Sequence, residues 1–315
     1  MPSPPSERAR RFAGYLFALT AGSLWGTTGP LSTRLYAEGA AITGIGFWRI
    51  LIGVAGLALY ALVADRGMFR IDRRGLLLVG LGGGALVALF EVAYQFGIAG
   101  AGVASAAALL YTAPVIVALL ALPILGERLT PLRLALAVVV MVGAALTVTG
   151  GSQAGGRAAQ AGASLAQGVG GGILAALSYA GTTLLARYAV PRYGAVRVLF
   201  YEIFGGSLVL ALVLPLAGHA PLPPATPGAW AYTLTLTLAT VLLANFAFFA
   251  AARRIEAAPV SVAATIEPVV GALLALSLLG QQLTAVGWIG LAMVVGGVAA
   301  GYWREAFSEG IGERG

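Results

Sequence analysis

The stretch Pro114 to Thr130 reads PVIVALLALPILGERLT, and 154 residues later Pro268 to Thr284 reads PVVGALLALSLLGQQLT, identical at eleven of seventeen positions. Fainter echoes keep nearly the same register. Leu24-Trp25-Gly26 stands against Ser178-Tyr179-Ala180 at the same offset, and Phe47-Trp48-Arg49 against Phe200-Tyr201-Glu202 at 153. A composition rich in Ala and Leu inflates any such match, but three at offsets of 153 to 154 identify an internal duplication. The reading of the whole chain turns on what each copy contains.

Each copy is a series of apolar runs. Of 315 residues, 59% are hydrophobic and 10% charged, with a mean hydropathy of +0.91, too little polar surface to coat a soluble globule. Crossing the ~30 Å hydrocarbon layer takes roughly 20 apolar residues in a helix. Runs of that kind fall at 13–35, 41–64, 75–97, 103–125, 132–149, 167–188, 196–216, 229–251, 260–279 and 285–303. The runs do not alternate as barrel strands do, and an open sheet edge in lipid would leave backbone groups unpaired. The remaining residues leave no room for a soluble domain.

All nineteen basic residues are Arg. Sixteen lie in the two tails and the even-numbered loops, two in the odd-numbered loops (Arg34 and Arg157), and Arg49 lies inside a run. The positive-inside rule then puts both termini in the cytoplasm of a bacterial-type inner membrane. Net charge +7 and pI ≈ 10.0 therefore read as orientation charge beside a bilayer, not as a nucleic-acid surface. Arg8, Arg10 and Arg11 before an apolar stretch resemble a signal peptide, but 13–35 is too long for a signal core, and nine more runs follow. With no cysteine, disulfides, thiolate nucleophiles, cysteine-ligated zinc and iron–sulfur clusters are excluded.

Five spans is an odd number, so the second copy enters the membrane from the opposite face. The expected fold is an all-α integral membrane protein of ten transmembrane helices, in two inverted-topology five-helix repeats around a central cavity. Its parts are a cytoplasmic tail at 1–12, a first repeat at 13–149, an external linker at 150–166, a second repeat at 167–303 and a second cytoplasmic tail at 304–315. Two near-equivalent halves can exchange conformations, opening a shared site to each side in turn.

Ala21-Gly22-Ser23-Leu24-Trp25-Gly26, Phe47-Trp48-Arg49, Pro114 followed by Gly126-Glu127-Arg128-Leu129-Thr130, and Glu267-Pro268-Val269 together resemble the EamA family of the drug/metabolite transporter superfamily. The resemblance covers about 12–303. It implies the ten-helix inverted architecture, and members include exporters of amino acids and related metabolites. Two departures stand out. Gln281-Gln282 replaces Glu127-Arg128 in the second copy, and the first helix lacks the acid that small multidrug relatives use to exchange protons for drugs.

Within the runs the ionisable residues are Arg49, Glu91, Glu202 and Glu267, and a charge at a helix centre costs about 2.5–3.5 kcal/mol on insertion scales, so they face the bundle interior. The depths of Arg49 and Glu91 match, which makes them a structural ion pair or a contact for the charged end of a substrate. Offset mapping sets Asn245 opposite Glu91 and Glu202 opposite Arg49. Pro114 and Pro268, each inside a run, are candidate hinges, since proline removes a backbone hydrogen bond and frees a carbonyl. Desolvation favours the neutral form of a carboxyl, so Glu91 and Glu267 are candidates for carrying a proton. Trp25 with Tyr179, Tyr94 with Phe248, and Tyr111 are aromatics away from the interfaces, and Thr28 adds a hydroxyl.

Trp25, Thr28, Glu91, Tyr94, Tyr111, Tyr179, Asn245, Phe248 and Glu267 thus form the candidate substrate site. It suits a small amphipathic or zwitterionic solute. Phosphorylated solutes fit poorly, with no Lys and one intramembrane Arg. The expected function is a secondary carrier exporting amino acids, with the bilayer and a small-molecule substrate as partners, protons as the candidate coupling ion, and no metal, cofactor or nucleic acid. A proton-coupled antiporter of other metabolites, an intramembrane enzyme and a channel are the alternatives. The single His219 lies in a loop and no Asp lies in a run, so the usual catalytic groupings are missing. Glycines four apart (Gly22 and Gly26, Gly80 and Gly84, Gly297 and Gly301) are read as close-packing faces within the bundle.

Overall fold

The computed structural model describes residues 7–28, 31, 34–35, 38–101, 103–127, 129–149, 164–279 and 284–307. Most of the expected linker (150–163) and Gln281-Gln282 lie outside them. The described residues form helices and turns without a strand. In chain order these are α1 (Glu7–Trp25), α2 (Ile42–Val63), α3 (Gly84–Ala101), α4 (Val103–Leu110), α5 (Ala113–Leu125), α6 (Pro131–Thr149) and α7 (Leu165–Tyr193). There follow α8 (Ala195–Leu216), α9 (Pro227–Leu236), α10 (Ala244–Ala252), α11 (Ala257–Ala264), α12 (Glu267–Leu279) and α13 (Ala285–Phe307). A π-helical stretch, Leu76–Gly83, runs into α3, and another, Thr237–Leu243, joins α9 to α10.

Six helices among the described residues are long and apolar enough to cross a membrane: Thr43–Val63, Arg73–Tyr94, Ala108–Leu125, Ala166–Tyr193, Ala195–Leu216 and Pro227–Ala252. Pro131–Thr147, Ala257–Gly271 and Ala285–Gly301 are shorter apolar helices. Several ends differ from the sequence reading for local reasons. The third helical run starts at Arg73 because the Asp72 carboxylate accepts from Gly75 N at 2.9 Å. The sixth starts at Leu165 because Ser164 and Gln167 form a reciprocal capping box. The expected helix at 13–35 instead begins at Glu7 and stops at Trp25, where Thr27 N turns to Leu24 O and the Thr27 hydroxyl bonds the same carbonyl.

Two further expected continuous spans are broken. The run 103–125 is α4 and α5 with a turn at Tyr111–Thr112, and 260–279 is α11 and α12 with a turn at Thr265–Ile266. Pro114 and Pro268 therefore do not free a carbonyl in mid-helix. Each is the second residue of the following segment, where proline's missing N–H would have no intrahelical partner. Proline cannot donate to the carbonyl four residues earlier and its ring clashes with it, and the preceding helices end at those residues, Leu110 and Ala264.

The most extensive helix pairings join the first sequence copy to the second: α3 with α7, α6 with α13, α1 with α10, and α3 with α8. The Ser178 hydroxyl bonds Leu86 O across α7 and α3. Glycines allow the closest approach. A Cβ on Gly205 of α8 would collide with Gly80 O and Gly84 Cα, and one on Gly84 would meet the Gly205 backbone.

The arginine-bearing loops and the start of α1 gather at one end. Arg197 donates to Gly67 O at 3.0 Å, Tyr201 to Phe69 O at 2.8 Å, and Arg254 lies over the Phe17 ring. The Gly75 N–H and then the Tyr193 hydroxyl hold exposed Asp72 below the usual carboxylate range. At the other end Trp48 Nε1 donates to Pro221 O and Thr226 Oγ1 to Glu38 Oε2.

The α8 contact with Gly80 and Gly84 predicts that Gly205→Val lowers stability by about 1–3 kcal/mol. The expected outcome is a lower thermal-unfolding midpoint of the detergent-purified protein, with Gly170→Val, at a position with open space, as the unaffected control.

Candidate functional site

Both broken runs face the same place. Gly22 and Gly26 of the first run lie against the second break: a Cβ on Gly22 would strike Ala264 O, and one on Gly26 would come 2.8 Å from Glu267 O and 3.0 Å from Val270 Cβ. That contact sets Trp25 beside the start of α12. The Trp25 ring lies 5.3 Å from Phe248 and 5.9 Å from Tyr179, and Tyr179 lies 6.1 Å from Phe248. These separations suit edge-to-face and tilted aromatic contact. Trp25 Nε1 donates to Thr240 O at 3.0 Å, in the π-helical stretch before α10.

Tyr111, buried, occupies the turn between α4 and α5, with Glu267, Tyr94 and Tyr179 in its surroundings. Tyr179 likewise lies near Glu267. Tyr94 stacks on Phe90 one turn earlier on α3. The structure therefore brings together Trp25, Tyr94, Tyr111, Tyr179, Phe248 and Glu267. Three come from the first copy and three from the second. Glu267 stands in the first turn of α12, where the positive end of the helix dipole favours an anion. The cluster offers aromatic faces, three phenolic hydroxyls and one carboxyl.

Arg49 and Glu91 form an ion pair between α2 and α3, with side chains 12% and 7% exposed. Gly46, one turn before Arg49, makes room for Glu91: a Cβ there would lie 3.1 Å from its Oε2. Arg49 O accepts from the Thr237 hydroxyl at 3.1 Å, while Arg49 Nε is buried without a hydrogen-bond partner. Since Glu91 and Tyr94 are three residues apart on α3, about one turn separates the pair from the aromatic cluster.

Other candidates sit differently. Asn245 does not meet Glu91; its amide donates to Thr240 O and Val241 O, carbonyls of its own helical run. Thr28 is half-buried beyond the turn that ends α1. Thr182 and Thr183 both bond Tyr179 O, so those hydroxyls serve the helix backbone. Glu202 does not pair with Arg49. It is 3% exposed against Gly83 and Leu185, with Oε1 lacking a hydrogen-bond partner. The backbone contact of Trp25 and the stacking of Phe90 were not foreseen. Neither has a sequence signal, because each partner is fixed by packing. A cavity of about 320 Å³ lined by Tyr15, Thr130, Arg133, Glu256, Val298 and Arg304 lies at the arginine-rich end, apart from the aromatic cluster.

Removing one partner of a buried ion pair costs about 3–5 kcal/mol, whereas replacing both with apolar residues of similar size is often neutral. Arg49→Met alone should therefore lower the thermal-unfolding midpoint. The double variant Arg49→Met/Glu91→Leu should recover most of the loss in the same measurement.

The comparisons with known proteins agree on class. The sequence profile described as the EamA-like transporter family matches residues 12–149 and again 166–302. An uncharacterized transporter of Archaeoglobus fulgidus is 28% identical over 278 residues, which cover 88% of this chain and 92% of that protein. A probable terminal-alkyne amino-acid exporter of Streptantibioticus cattleyicolor is 27% identical over 292 residues, covering 91% and 94%. A solved crystal structure superposes with a TM-score of 0.74 at 20% identity, covering 91% of this chain and 96% of the other, a likeness of fold.

Proposed function

The chain belongs to the EamA-like transporter family, a multi-pass membrane protein, and on that footing we propose that it is an alternating-access carrier exporting amino acids, neutral or aromatic or other amphipathic zwitterions. The observation that carries the reading is the aromatic cluster with Glu267. Both sequence copies contribute to it, and both broken helical runs meet there. Interrupted helices around a site shared by two repeats are the construction that secondary transporters use at the membrane midplane. Aromatic faces would hold the side chain of an amphipathic solute. The Glu267 carboxyl would take its ammonium group, and the tyrosine hydroxyls would complete the polar contacts.

The reading includes ten spans in two five-helix halves of opposite direction. Its support is that the start of α1 lies by Arg254, while the end of α7, its repeat mate, also lies at the arginine-rich end. That end is assigned to the cytoplasm of the inner membrane on the Arg count. The kin named as an amino-acid exporter supports the substrate class. A proton-coupled antiporter of other metabolites is the second reading, favoured by the position of Glu267 among tyrosines, where a carboxyl could release a proton as a cationic solute arrives.

Proteoliposomes offered radiolabelled amino acids, with and without a pH gradient, test both. The expected result is saturable flux of an aromatic or aliphatic amino acid, reduced about tenfold or more by Trp25→Ala and by Tyr179→Ala in protein that still elutes as a single species. Stimulation by the gradient that Glu267→Gln or Glu91→Gln abolishes would establish proton coupling. Normal flux in both aromatic variants would remove the cluster from the substrate path, and no flux of any amino acid would overturn the substrate class.

A further inference from the structure

Between the aromatic cluster and the arginine-rich end the two copies meet in an apolar seam. Val117, Ala118 and Ala121 of α5 pack with Ala180 and Leu184 of α7 and with Ala257 and Ala258 of α11, each at most 5% exposed. Ala180 follows Tyr179 directly, so the seam begins where the aromatic cluster ends. Glu127 closes its far side. Only 10% of its side chain is exposed, and it accepts from Arg187 Nε at 3.0 Å and from Ala257 N at 3.0 and 3.2 Å. Arg187 also donates to Ala252 O at 2.9 Å. One carboxylate of the first copy therefore holds α7, the end of α10 and the start of α11, all from the second.

We propose that Glu127 and Arg187 form a latch that keeps the arginine-rich mouth of the carrier shut above the seam. The inference rests on the alternating-access reading. Opening that mouth requires α5 to part from α7 and α11, and the parting breaks every contact of Glu127 at once. Burial raises the Glu127 carboxyl above the usual carboxylate range, against the lowering pull of the Arg187 hydrogen bond and the Ala257 N–H. The latch is thus held in a dehydrated setting, where hydrogen bonds to a charged group are strong and directional but release of the pair to water is compensated by hydration. Such a contact sets which shape is preferred and still permits the other.

The duplication makes the device one-sided. At the offset of 154, Glu127 corresponds to Gln281 in the second copy, and Arg187 and Ala257 to Thr33 and Val103 in the first, so the repeat-related positions hold neither the acid nor the base. With no repeat counterpart to this acid–base clasp, the resting carrier is closed at the arginine-rich mouth.

The native chain has no cysteine, so Ala121→Cys places a single thiol in the seam. In inside-out vesicles, a charged, membrane-impermeant maleimide should label it slowly in the parent. Labelling should quicken about tenfold in Glu127→Gln and in Arg187→Gln, the change expected for losing a hydrogen bond to a charged group. Arg187→Lys, which keeps the charge and loses the fork, should fall between, and it carries the comparison should a neutral variant fail to fold. Unchanged labelling in these variants, in protein whose parent carries solute in proteoliposomes, would overturn the latch and leave the carrier reading standing. A parent that neither carries solute nor changes its labelling with solute present would instead overturn the carrier reading on which the latch depends.

Discussion

A helix interrupted inside hydrocarbon leaves N–H and C=O groups that lipid cannot satisfy, so such a break survives only where protein surrounds it. Two such breaks among the described residues, at Tyr111–Thr112 and Thr265–Ile266, are sheltered by much of the architecture. Thr112 caps its own turn by bonding Leu109 O, and Thr265 does the same with Ser261 O. The second break is covered by the Gly22 and Gly26 face of the first run, so close that no side chain fits between. That close approach sets Trp25 against Tyr179 and Phe248. The candidate site is therefore a by-product of sealing the breaks as much as a feature added to them.

Much of this was legible in the residues because it is periodic or repeated. The duplication announces itself in the two PV-ALLAL stretches, and it pairs Trp25 with Tyr179 and Tyr94 with Phe248 before any coordinates. Those four, with Tyr111 and Glu267, do gather. The common depth of Arg49 and Glu91 follows from counting residues along each helix. What counting does not supply is azimuth. Asn245 is the repeat counterpart of Glu91, yet its amide bonds Thr240 O and Val241 O in the π-helical stretch ahead of it.

The break positions were displaced for a related reason. A proline's missing hydrogen bond and ring clash fall on the carbonyl four residues earlier, where α4 and α11 end, and the chain restarts with proline in the first turn. Glu127, replaced by Gln281 in the second copy, is absent from the candidate site read from the sequence. The bonds from Arg187 and Ala257 depend on chain segments 60 and 130 residues away. No local pattern reports a contact of that kind. Glu202 is the converse case. Matched by offset to Arg49, it ends with Oε1 unbonded against Gly83.

The pairing of α3 with α7 matters to biosynthesis. Translation proceeds at about 5–20 residues per second, and α7 begins at Leu165, after α3 has ended at Ala101. For several seconds the newly inserted first half presents a glycine-studded flank whose mate is still inside the ribosome. Neither half is a self-sufficient folding unit on this layout, and the nascent chain must be shielded from neighbours in the bilayer until its later helices arrive.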